Sequence, residues 1–130
     1  MSTPSKKDII RVKISHAKTT LKEAQLLLEN NFTGAALNRL YYACFYAASA
    51  LLSSKDSLIK THSGVKQMLG LHFVVPDLIP KEMGKIYSDL FSNRLGVDYD
   101  DMVITDIETI KKFSIFANEF VLVAQSILEL

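Results

Sequence analysis

The sequence predicts an all-α fold, an up-and-down antiparallel bundle of four long helices plus one short helix. Three observations carry that prediction. Apolar residues recur at steps of three and four in several long segments, the only prolines are Pro4, Pro76 and Pro80, and no stretch alternates in the strand period. The 130 residues suit one domain spanning 1–130, and a 48% hydrophobic content with 22% charged residues fits a packed core.

In the first segment Ile10, Ile14, Ala17, Leu21, Ala24 and Leu28 define one helix face, with Lys13, Lys18, Lys22 and Glu23 off the stripe. A helix from about Ser5 to Glu29 follows, with Pro4 tolerated near its first turn and Asn30 and Asn31 at its end. Thr33 is the expected N-cap of a second helix whose core runs from Ala35 to Leu52. Leu40 to Leu52 is apolar except for Ser49, so this helix must be covered on several sides and forms the centre of the bundle. Thirteen residues are too few for the roughly 20 that cross a bilayer, and no membrane association is expected.

Thr61 caps a short third helix that runs to about Leu71. Pro76 and Pro80 enclose a connector, because each disfavours helix in the residue before it. A fourth helix starts near Lys81 and places Met83, Ile86, Tyr87, Leu90 and Phe91 at helical spacing, with Gly96 expected to end or loosen it. After a polar turn, Thr105 or Asp106 caps a last helix marked by Ile107, Ile110, Phe113, Ala117, Phe120, Ala124 and Ile127.

The net charge of +1 excludes a global field that draws the protein to nucleic acid or anionic membranes. Charge is unevenly distributed, however. Met1 to Leu40 carries seven basic and three acidic residues, whereas Ile86 to Leu130 carries three basic and eight acidic ones. Favourable pairing between the first and last helices is the expected use of this asymmetry, ahead of an anion-binding face. Cys44 is the single cysteine, which rules out an internal disulfide and suits a reducing, cytoplasmic setting. Its apolar neighbours Ala43, Phe45 and Ala47 predict burial and an inert thiol. Tyr41, Tyr42 and Tyr46 are expected in the core and at a subunit interface, and no cofactor is implied. Asp98, Asp100 and Asp101 offer oxygen ligands, yet acids on a turn before a helix are more often caps, so no metal site is assigned. His16 and His72 lack a spacing that suggests metal or catalysis.

Three stretches in order resemble the HEPN family (higher eukaryotes and prokaryotes nucleotide-binding). They are Arg39-Leu40-Tyr41-Tyr42-Ala43-Cys44-Phe45-Tyr46-Ala47-Ala48, then Lys60-Thr61-His62-Ser63-Gly64-Val65, then Asn93-Arg94-Leu95-Gly96-Val97-Asp98-Tyr99. The resemblance implies a homodimer in which the arginine motifs of two subunits share a cleft. In family members that cut RNA, an arginine that holds the phosphate is followed four to six residues later by a histidine that moves protons. Other members bind nucleotides or act beside a small nucleotidyltransferase as a toxin and antitoxin pair.

This sequence departs from that pattern at the histidine. Five residues after Arg94 stands Tyr99, and none of the residues to Ile104 is a histidine. A tyrosine of ordinary pKa, about 10, is a poor general base at neutral pH, and Asp98 is too weakly basic to replace an imidazole. Tyr46 is a second departure, at a place where this branch often has a histidine. The guanidinium is therefore expected to stand without an imidazole alongside it. By this resemblance, the candidate catalytic residues are Arg94, Asp98 and Tyr99, and the candidate ligand-binding residues are Arg94, His62, Ser63, Arg39 and Tyr42. The function expected is binding of a nucleotide or RNA phosphate in a toxin and antitoxin or defence pair. The alternatives are a non-enzymatic protein-interaction module and a metal-independent ribonuclease with a divergent site.

Overall fold

A computed structural model describes residues 3–57, 59–99 and 106–130, with the backbone alone for 95–99. The chain is all-α, with the element order α1 (Lys6–Glu29), α2 (Thr33–Ser54), α3 (His62–Leu69), α4 (Lys81–Tyr99) and α5 (Ile107–Leu128). No strand occurs among the described residues.

Local chemistry sets most of the helix ends. Ser5 and Asp8 form a reciprocal capping box at the start of α1, each side chain accepting from the other's backbone amide. Asn31, with φ 63°, turns the chain out of α1 in the left-handed region that asparagine tolerates. Thr33 is the first residue of α2 and not its cap. The cap position is Phe32, which offers no side-chain acceptor, and α2 is held by packing. Asp106 caps α5 by accepting from the Glu108 amide and the Thr109 hydroxyl. Thr105, the other expected cap, lies outside the described residues.

The Pro76 to Pro80 region is more structured than a plain connector. α3 passes directly into a π-helical turn, Gly70–Val74, in which the Val75 amide reaches back to the Gly70 carbonyl at 2.9 Å. The Phe73 carbonyl then accepts from the amides of both Leu78 and Ile79, at 2.8 and 2.9 Å. Phe73 and Ile79 are fully buried, so two core anchors tie down a segment that local propensity leaves open. Gly96 does not end α4, which continues to Tyr99.

α2 is the centre, as its composition requires. Twelve of its residues are buried, among them Leu37, Leu40, Tyr41, Cys44, Leu51 and Leu52, and it contacts every other helix. It runs antiparallel to α1, since Lys13 meets Ser49 and Ser53 while Glu23 meets Arg39. Fully buried Ala17 on α1 and Ala36, Ala43, Ala47 and Ala50 on α2 let backbones approach closely. α1 also packs on α5, but the expected charge pairing is not what joins them. Among the described residues no ion pair links these helices, and the groove that holds Lys18 and Lys22 is lined from α5 by Asn118, Val121, Leu122 and Gln125. No described helix is long and apolar enough to cross a membrane.

Candidate functional site

Tyr41 is the hub of the site. The sequence spacing of α2 directs Tyr41 and Phe45, one turn apart, toward α3 and α4, while Tyr87, Phe91 and Arg94 of α4 share one face by their steps of four and three. Tyr41 is wholly buried, its ring 5.3 Å from Tyr42, 5.6 Å from His62, 6.1 Å from Phe91 and 6.3 Å from Tyr87. The Arg94 guanidinium carbon sits 4.9 Å from the centre of the Tyr41 ring and 5.4 Å from that of Phe91. Electron-rich ring faces thus hold the cation in place. Among the described residues no group hydrogen-bonds to its buried Nε.

His62 comes to the same place from another element. Thr61 caps α3 by accepting from the Gly64 amide at 3.1 Å, and this fixes His62 as the first helical residue. Nδ1 of His62 and the Tyr41 hydroxyl are hydrogen-bonded at 2.6 Å, and the imidazole stacks on Phe45 with centroids 4.2 Å apart. Burial, and then the charge of Arg94, push the pKa of His62 below the usual histidine value, so the imidazole is neutral at pH 7. His62 and Arg94 therefore meet the same tyrosine, Tyr41, although no histidine follows Arg94 in the linear motif. The imidazole arrives through α3, not from the residues that follow Arg94.

Burial raises the pKa of the Tyr41 hydroxyl well above its usual value, with Arg94 opposing the rise, and both Tyr41 and Tyr87 remain protonated. The Tyr87 hydroxyl is buried and has no hydrogen-bond partner among the described residues. Cys44 is fully buried and its thiol is pushed far up by desolvation, which makes it inert as expected.

The other expected residues are placed unequally. Tyr42 meets His62 edge to face at 5.6 Å, and the Arg39 guanidinium carbon lies over the Tyr42 ring, 5.1 Å from its centre. Arg39 is engaged by Asn38 at 2.8 Å and by Glu23 at 4.0 Å, one aromatic ring removed from His62. Ser63 is exposed next to His62. The side chains of Asp98 and Tyr99, and the whole of Asp100 and Asp101, lie outside the described residues. Tyr46 stacks on His16 at 3.9 Å, a pairing across α1 and α2 that spacing along either helix does not reveal.

The coupling of Arg94 to His62 has a direct readout. In an NMR titration of the ring protons, His62 should titrate below the usual value of about 6.5. Arg94→Met should move the midpoint up, because removing a nearby cation favours the imidazolium. A midpoint that ignores the substitution would show that the two groups are not electrostatically coupled.

The chain is thus a small all-α bundle that carries an aromatic-cradled arginine on its fourth helix. The chain belongs to the HEPN family: the HEPN domain model matches residues 10–129. It is 36% identical over 124 residues to a "UPF0332 protein" of Thermotoga maritima, covering 95% of this chain and 94% of that one. It is also 38% identical over 90 residues to a "Putative toxin" of Methanocaldococcus jannaschii, covering 69% of this chain and 67% of that protein.

Proposed function

We propose that this protein binds the phosphate of a nucleotide or RNA through Arg94, as a homodimeric member of a toxin and antitoxin or defence pair whose other member is a nucleotidyltransferase. The supporting observation is the guanidinium held over Tyr41 and Phe91, with His62 hydrogen-bonded to the same Tyr41. A planar cation fixed this way is preorganised for phosphate oxygens. His62, Ser63, Tyr42 and Arg39 are the further ligand-binding candidates, and Asp98 and Tyr99 follow Arg94 in the motif. The toxin name carried by a relative from Methanocaldococcus jannaschii agrees with the biological setting.

The test is fluorescence anisotropy with a labelled single-stranded oligoribonucleotide. Arg94→Ala should weaken binding by at least about tenfold, the loss of one charge-assisted hydrogen bond to phosphate, with the helical circular dichroism unchanged. Equal affinity of the variant and the parent would refute the proposal. The position of His62 also favours a second reading, a metal-independent ribonuclease in which this imidazole supplies the proton transfer that the motif lacks. The same incubations read it, since cleavage would leave a 2′,3′-cyclic phosphate and vanish in His62→Gln.

A further inference from the structure

Lys13 lies outside the apolar stripe of α1, yet it points inward. Its ammonium donates to the hydroxyls of Ser49 and Ser53, at 2.9 and 2.8 Å, which α2 presents one turn apart. Among the described residues no carboxylate stands at ion-pair distance from it. Hydroxyls satisfy the hydrogen bonds of an ammonium but not its charge, and partial burial lowers the lysine's pKa accordingly. Neither serine hydroxyl donates to another described group, so their protons remain available.

Lys13 and Ser49 open onto a cavity of about 240 Å³ lined also by Lys60, Ser57, Phe45 and Ile59. Among the described residues its lining holds two cations, two hydroxyls and no acid. Phe45 and Ile59 form its apolar side, and the Phe45 ring that lines this cavity is the one stacked on His62. The cavity and the Arg94 centre therefore share an aromatic wall while using different cations.

We propose that this cavity is a second anion site, which takes the phosphate of a phosphate ester. Lys13 and Lys60 neutralise the phosphate oxygens, Ser49 and Ser57 donate to them, and Phe45 and Ile59 receive the organic part. The site stands on residues that the Arg94 proposal does not use, so either can fail alone.

Titration of the full-length, ¹⁵N-labelled protein with inorganic phosphate tests it, followed by adenosine monophosphate and a short oligoribonucleotide. Phosphate should shift the amides of Ser49, Ser57 and Lys60. Lys60→Gln, at an exposed position that spares the fold, should weaken binding about tenfold, as should Lys13→Met where it folds. The phosphate-induced shifts of these three amides should persist in Arg94→Ala, which reads this cavity apart from the Arg94 centre. A larger gain for the mononucleotide would identify a free nucleotide as the ester, and a larger gain for the oligomer an RNA strand. Unmoved amides at saturating phosphate, binding lost in Arg94→Ala but kept in Lys60→Gln, or no gain from either ester would overturn the proposal.

Discussion

Phe120→Ala is expected to lower the unfolding free energy by about 3–5 kcal/mol, the usual cost of truncating a buried phenylalanine to alanine. Phe120 is fully buried on α5, with ring centres 5.5 Å from Phe116 and 5.7 Å from Tyr87 of α4. Tyr87 in turn touches Tyr41, so the cavity would open behind the face of α4 that carries Arg94. Domains of this size are stable by about 5–15 kcal/mol, and the substitution should consume a large share of that margin. Urea denaturation should show a lower midpoint at an unchanged slope, and Phe120→Leu should recover most of the loss. A midpoint shift equivalent to under about 1 kcal/mol would mean that α4 and α5 do not depend on this contact.

The parts of the fold legible in the sequence are those where one helix face alone decides the outcome. Ile10, Ile14, Ala17 and Ala24 of α1, and Ile110, Ala117, Phe120 and Ala124 of α5, are buried as their spacing predicts. The four long helices and one short helix, and the central place of α2, follow from the same periodicity. Elements held by distant contacts were not legible. The Gly70–Val74 turn exists because Phe73 and Ile79 find the core, and α2 begins without a capping side chain because α1 already packs along it. Lys13 shows the limit of a stripe argument. It lies three residues after Ile10 and four before Ala17, so it belongs to the flank of the buried face, and a long side chain there can reach inward.

The candidate site divides in the same way. Arg94, His62 and Tyr42 were legible as separate residues on separate motifs, whereas their meeting at Tyr41 depends on how α2, α3 and α4 pack. A motif read along the chain counts residues from Arg94 and finds no histidine, while the fold brings one in from the start of α3. The signal available in advance was the shared face of Tyr87, Phe91 and Arg94, which announces an arginine over aromatic rings. Charge asymmetry misled for a comparable reason: it counts charges on helices, and Lys18 and Lys22 face Asn118, Val121, Leu122 and Gln125 across the α1–α5 groove without an ion pair.

Gly64→Val should cost about 2–4 kcal/mol and displace His62. A β-carbon at position 64 would run into the side chain of Ile59 and the hydroxyl of Thr61. Ile59 packs against the core and lines the Lys13 cavity, so it yields only by disturbing both. Thr61 is the cap of α3, and moving its hydroxyl forfeits about 1 kcal/mol. Overpacking adds about 1–3 kcal/mol, with the branched valine at the upper end and Gly64→Ala at the lower. His62 lies between Thr61 and Gly64, so loss of the cap should release the imidazole from Tyr41 and Phe45. Its titration midpoint should then rise toward the ordinary histidine value, since less burial and a more distant Arg94 both favour the protonated form. Thermal unfolding and the His62 ring resonances measure the two effects independently. An unchanged melting curve with an unmoved His62 midpoint would show that the backbone at position 64 has room the structure does not give it, and that the cap is not what holds the imidazole against Tyr41.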